Sequence, residues 1–151
     1  MEYERTRDII EHARAFHGRL EELYQGLAEK AEKQRVKMLL DHLSRHERRL
    51  REVLSRYEQH AAREMLDTWF QYVPEEETLQ RFAAVDWTDD MSIDQIIENA
   101  LRLDQYLLDL FRESANRALG DDIRDVLGSL LTLEEEEMVR LKRSALYAEL
   151  L

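Results

Sequence analysis

The second half of the chain repeats the apolar pattern of the first half at a shift of 87 residues. The repeated positions are Ala13, Phe16, His17, Leu20, Leu23, Tyr24 and Ala28 against Ala100, Leu103, Asp104, Leu107, Leu110, Phe111 and Ala115. A shift of 87 to 88 relates a second set, which is Leu39, Leu43, Glu47, Leu50 and Val53 against Leu127, Leu131, Glu135, Met138 and Leu141. Apolar positions at steps of three and four are typical of amphipathic helices. The repeat therefore predicts two equivalent helical hairpins.

The composition favours long helices in a single globular domain. The chain has 151 residues, 44% of them apolar and 36% charged, with only four Gly and one Pro to interrupt helices. We expect an all-α fold, an up-down four-helix bundle with helices at about 6–31, 33–62, 92–119 and 121–148. The intervening residues 63–91 are too long for a bundle turn. They are predicted to cross over between the hairpins, with a short helix at about 75–83.

Composition and charge exclude several classes of function. The absence of Cys excludes a disulfide scaffold, a thiol nucleophile and a cysteine metal site. The charged start, Met1 to Arg7, and the lack of an apolar run of about 20 residues predict no secretory signal and no membrane span, so a cytoplasmic location is expected. The net charge of −11 repels nucleic acid and anionic lipid. We predict neither nucleic acid nor membrane as a partner.

One polar residue from each predicted helix lies at a matching depth in the apolar seam. These residues are His17, Glu47, Asp104 and Glu135. Glu135 belongs to a run of four Glu, and at most Glu134 or Glu135 can face inward because consecutive helical residues point in different directions. Because buried polar groups are costly unless they are paired, these positions are where a function should be sought.

The helix order, the duplication and the seam spacing resemble the rubrerythrin-like branch of the ferritin-like superfamily, over roughly residues 6–60 and 92–147. The resemblance implies a site for two irons, with one Glu on each of helices one and three and Glu-x-x-His on each of helices two and four. Carboxylates can bridge two cations, and an imidazole can cap each ion. In this chain the Glu positions of helices one and three fall on His17 and Asp104.

The Glu-x-x-His motifs of helices two and four are both incomplete. Their Glu positions fall on Glu47 and Glu135, and their His positions fall on Leu50 and Met138. Leu50 cannot bind a metal, and the thioether of Met138 is a poor ligand for iron. The resemblance therefore implies a degenerate di-iron site, and we expect no cofactor.

Several interpretations of the seam residues stay open. They could form a relict hydrogen-bonded cluster in which His17 pairs with Glu47 or Asp104. They could hold one divalent ion of iron, manganese or zinc, and the ligands would then be His17, His46, Glu47, Asp104 and Glu135. A slightly different helix register would turn some of them to solvent. An apolar ligand pocket between the hairpins is a further possibility, and its walls would be Phe16, Leu50, Leu103 and Met138.

His42 and His46 form a separate pair at positions i and i+4 of the second helix. Two histidines at this spacing can bind one metal ion, and His12 or His17 would complete a three-histidine site. The alternative is that His42 lies at the surface and His46 fills a seam position with a hydrogen bond.

We expect a non-catalytic structural or interaction module that has lost the di-iron centre. The alternative is a metal-binding oxidoreductase or metal-handling protein with a rearranged site. The family tendency to associate in pairs implies a homodimer, and a protein partner is also possible. The aromatic stretch around Trp69 and Phe70 either closes one end of the core or is an exposed patch that is buried in a dimer.

Overall fold

Four long helices make up most of the molecule. The computed structural model describes residues 2–60, 63, 69–72, 86–88, 90–117 and 121–150. The helices are α1 (Thr6–Lys30), α2 (Gln34–His60), α3 (Ile93–Arg117) and α4 (Asp121–Leu150). Their ends lie within two residues of the expected bounds. The predicted all-α four-helix bundle is confirmed.

Side-chain caps explain where α1 and α3 begin. The backbone N–H of Arg5 donates to Asp8 Oδ2 at 3.0 Å. Before α3, the backbone N–H of Gln95 donates to Ser92 Oγ at 3.2 Å, and the backbone N–H of Ser92 donates to Gln95 Oε1 at 2.9 Å. This reciprocal pair satisfies two backbone donors that the first turn of a helix leaves unpaired. Helix α3 therefore begins where its sequence supplies a cap.

A short antiparallel ribbon joins the N-terminus to the segment between the hairpins. Strand β1 (Glu2–Arg5) pairs with β2 (Trp69–Tyr72), so that Glu2 lies opposite Tyr72 and Arg5 opposite Trp69. This ribbon was not predicted. The side chains of Trp69 and Phe70, predicted to lie either in the core or in an interface, are outside the described set. The helix expected at 75–83 also lies outside the described residues.

The core follows the internal repeat at one constant shift of 87. Buried positions of α2 and their buried counterparts in α4 are Leu40 and Leu127, Leu43 and Leu130, Glu47 and Glu134, Leu50 and Glu137, and Leu54 and Leu141. The shift of 88 that related Glu47 to Glu135 is therefore wrong by one residue. None of the helices in the described ranges is both long and apolar enough to cross a membrane.

Candidate functional site: a buried histidine–carboxylate cluster

His17 on α1 lies at the centre of the buried polar residues. Its ring is completely buried, its Nδ1 is hydrogen-bonded to Glu47 of α2, and its Nε2 lies 2.8 Å from Glu134 Oε1 of α4. Glu47 belongs to the first hairpin and Glu134 to the second. The His17 imidazole therefore connects the two hairpins of the repeat. The predicted contact between His17 and Glu47 is present.

The two carboxylates hold the His17 ring in its charged form. Burial acts to lower the pKa of His17, but the negative charges of Glu134 and Glu47 and their hydrogen bonds outweigh it and raise that pKa well above the ordinary value. Both ring nitrogens then carry protons, and each N–H donates to one carboxylate. His17 is a buried imidazolium ion between two anions.

Asp104 of α3 is the member of the cluster whose burial favours the protonated acid. Burial raises its pKa well above the usual range, and the nearby charges of Glu47 and Glu134 raise it further. Its Oδ1 is buried and has no hydrogen-bond partner among the described residues. Tyr24, which the sequence analysis did not single out, is also buried, and burial followed by the charges of Glu47 and Asp104 raises its pKa.

A second group of polar contacts lies one turn further along α4, at Glu137. Its carboxylate lies 2.7 Å from Arg49 Nη2, 3.1 Å from Arg140 Nη1 and 3.2 Å from His46 Nδ1. Burial lowers the pKa of His46, which favours the neutral ring, and its Nδ1 faces the Glu137 carboxylate. Like Glu134, Glu137 connects α4 to the first hairpin.

Glu135 is not part of the cluster, contrary to prediction. Its side chain is 50% exposed, and its carboxylate lies 3.6 Å from Arg112. Met138 does not occupy the position equivalent to Leu50 either, because Glu137 does. Within a run of four Glu the apolar pattern is interrupted, and a constant shift of 87 is the signal that identifies Glu134 and Glu137 as the inward residues.

The neighbouring residues Glu134 and Glu135 give a matched test of this register. We expect Glu134→Gln to lower the free energy of unfolding by about 2 kcal/mol, because a charge-assisted buried hydrogen bond is lost. Glu135→Gln should change it by less than about 0.5 kcal/mol, as is usual for an exposed ion pair. Urea unfolding followed by circular dichroism at pH 7 measures both, and equal effects would contradict the register.

The cluster is electrically balanced by groups of the protein itself. Three cations are present, which are His17, Arg49 and Arg140. Three anions contact them, which are Glu47, Glu134 and Glu137. Burial raises the pKa of Asp104 and lowers that of His46, so both shifts favour the neutral forms of these groups. Buried charges persist in proteins when they are paired in this way.

Comparison with known proteins places this cluster in a recognisable fold. No family model and no curated protein matches the chain. The chain is similar in structure to a Thermotoga maritima protein described as a ferritin-like diiron-carboxylate protein, with a TM-score of 0.59 over 96% of this chain and 97% of that one. The fold is ferritin-like. At 15% identity, the similarity concerns the fold and says nothing about a metal in this chain.

The donor groups of this ferritin-like bundle do not fit a centre of two irons. In the described part of the chain, no three His, Asp or Glu side chains converge on a point where an ion could lie. Leu50, which is 1% exposed, fills one position that the iron-binding pattern gives to His. The two nitrogens of His17 face separate carboxylates, and Glu137 is held by two guanidinium groups. Cations of the protein itself therefore contact Glu47, Glu134 and Glu137.

The interior between the hairpins is packed where an apolar pocket was considered. Phe16, Leu50 and Leu103 are at most 3% exposed. The Phe16 ring lies 5.7 Å from that of Tyr106, measured between centroids. These walls belong to the packed interior and do not surround an open site.

The stability of the ferritin-like bundle should fall as pH rises above 7, because the folded-state pKa of His17 is raised well above its ordinary value of 6.5. His17 and Asp104 both have raised pKa values in the folded state. Each group therefore contributes its full amount to the free energy of unfolding below its ordinary pKa, which is 6.5 for His17 and 3.8 for Asp104. That contribution is lost as the pH rises through the folded-state pKa. Each group adds a slope of at most about 1.4 kcal/mol per pH unit. Asp104→Asn, which mimics the protonated acid, should be more stable than wild type at pH 9 and lose stability less steeply. Thermal unfolding at both pH values measures this, and stability that rises with pH would contradict it.

Proposed function

We propose that this ferritin-like chain, of the rubrerythrin-like branch, is a non-catalytic structural or interaction module in which the di-iron centre has been replaced by internal ion pairs. The observation that carries the proposal is the His17 imidazole between Glu47 and Glu134. A positive group of the protein lies between carboxylates of the two hairpins, in the kind of place where the iron-binding pattern puts metal. Leu50 supports the same conclusion, since it replaces a ligand with an apolar side chain.

The cluster has a physical role in such a module. Its polar links, His17 to Glu134 and Arg49 to Glu137, connect the first hairpin to α4. A slip of α4 by one residue would leave several buried charges unpaired, at a cost of several kcal/mol. The cluster thus fixes how the hairpins align, and the outer helix faces are left for contacts with other molecules.

The proposal includes a cytoplasmic homodimer, which follows from the resemblance and from the sequence. Light scattering on the purified protein gives the mass directly. A mass of two chains supports the dimer, and a mass of one chain at micromolar concentration contradicts it.

Elemental analysis tests the loss of the metal centre. Untagged protein, purified without chelator and then desalted, should contain far less than one equivalent of iron or manganese. A His17→Ala and Glu134→Ala double variant is the control, and it should contain no less metal than the wild type. Two equivalents of iron in the wild type, lost in the variant, would overturn the proposal.

A second candidate function, binding of one divalent ion in the same cluster, is favoured by a separate observation. Asp104 Oδ1 and His46 Nε2 are buried without hydrogen-bond partners in the described residues. Asp104, Glu47, Glu134 and His17 would supply the oxygen and nitrogen ligands once their side chains moved together, since no three of them converge on one point in the described residues. The ion would supply Lewis-acid or redox chemistry. Binding would require the His17 ring to lose a proton, so occupancy should rise with pH. One equivalent of metal that Asp104→Asn abolishes would establish this function.

A further inference from the structure

The pair His42 and His46 lies at the edge of the cluster, and its spacing along α2 suits a metal ion. The two residues lie four apart on α2, so their side chains lie on the same face of the helix. Helical side chains lean toward the N-terminus. The His46 ring therefore leans over the turn that carries His42. The positive charge of a protonated His46 would lower the pKa of His42.

The His46 ring is fixed in an orientation that leaves one nitrogen available. Its Nδ1 lies 3.2 Å from Glu137 Oε2, and Arg49 and Arg140 hold that carboxylate in place. The carboxylate beside Nδ1 favours the tautomer with its proton on that nitrogen, and the lone pair of the neutral ring is then on Nε2. This Nε2 is buried and has no hydrogen-bond partner among the described residues. A carboxylate behind an imidazole is the arrangement that orients histidines toward metal ions.

His42 gives this buried nitrogen a neighbour at the surface. The His42 side chain is exposed, whereas the His46 side chain is 6% exposed. Burial and the positive groups around it lower the pKa of His42, and burial lowers that of His46. The neutral imidazole is the form that binds a metal ion.

We propose that His42 and His46 Nε2 form a two-imidazole binding site for a divalent ion of the zinc class, with Glu137 as the positioning residue. Imidazole nitrogen suits Zn²⁺. Water completes the coordination, since two protein ligands leave positions open. The site uses neither His17 nor the carboxylates that His17 contacts, and it is not a di-iron site, because its ligands are two nitrogens from one helix.

Calorimetric titration of the full chain with Zn²⁺ tests the site after the protein has been treated with chelator and dialysed. We expect one equivalent to bind. Glu137→Gln should weaken binding by about 10- to 100-fold, the usual effect of removing a group that orients a ligand. His42→Ala removes a ligand and should weaken binding by at least about 10-fold. His60→Ala, which removes an exposed histidine at the end of the same helix, is the matched control and should leave the affinity unchanged.

Substitution of the buried His46 or Glu137 could also unfold the protein, so the decisive comparison is between wild type and the variant at the exposed His42. Circular dichroism confirms that each variant is folded. Nitrogen-15 spectra of the imidazoles add a readout that stability cannot mimic, since Zn²⁺ should shift His46 Nε2 and not the His17 nitrogens. No binding of Zn²⁺, or equal binding in wild type and His42→Ala, would overturn the proposal. Shifts confined to His17 would also overturn it and would instead support the ion in the central cluster.

Discussion

The variant His17→Ala should lose about 3 to 5 kcal/mol of unfolding free energy, which is the usual cost of removing one partner from a buried ion pair. The substitution leaves Glu47 and Glu134 facing each other without the imidazolium that both contact. It also creates a cavity in the middle of the bundle. Urea unfolding at pH 7, with the free energy extrapolated to water, measures the loss.

A triple variant separates the charge effect from simple damage to the core. Replacing His17 with Leu and both Glu47 and Glu134 with Met removes all three charges while keeping the interior filled. Because an apolar set of similar volume often equals or exceeds a buried ion pair in stability, this variant should recover most of the loss. A triple variant as unstable as His17→Ala would show that packing, and not pairing of the charges, is what His17 supplies.

The double variant His17→Glu with Leu50→His should make the stability of the bundle depend on metal. The change removes the central imidazolium and restores two ligands of the iron-binding pattern beside Glu47, Asp104 and Glu134. Without metal, several buried carboxylates are left without a cation and the variant should be less stable than wild type. An ion present at 100 to 1,000 times its dissociation constant should restore about 3 to 4 kcal/mol.

The measurement for this variant is the unfolding temperature with and without Co²⁺ or Mn²⁺ at pH 7. Wild type is the matched control, and its unfolding temperature should respond far less because its carboxylates are already paired. The single variant Leu50→His separates the two changes and should resemble wild type in its response. An increase of the same size in wild type and in the double variant would mean that the natural cluster already takes a metal ion.

The bundle itself was predictable because its cause is local and repeated. Apolar steps of three and four residues specify each helix, and the duplication specifies two matching hairpins. Ser92 and Gln95 mark the start of α3 because capping depends on residues only three apart in sequence. These features do not depend on which distant side chains meet.

The details of the cluster were less predictable because they depend on helix phase and on contacts between distant residues. In the run of four Glu, a change of one residue rotates the inward position by about 100°, and the apolar pattern does not mark the difference between Glu134 and Glu135. The contact of His17 with Glu134 joins residues 117 apart in sequence. The pairing of β1 with β2 likewise links distant segments, and the apolar periodicity of the sequence did not predict it.

The central claim is that the His17 imidazolium is the cation of the ferritin-like core, and the protonation state of its ring tests this most directly. Nitrogen-15 spectra of histidine-labelled protein at pH 7, assigned with His17→Gln, report each ring nitrogen before and after addition of Fe²⁺ under anaerobic conditions. The account predicts a proton on both Nδ1 and Nε2 of His17 and no change when iron is added. A neutral ring, or a His17 signal lost on addition of one or two equivalents of Fe²⁺, would contradict it and would make the cluster a metal site.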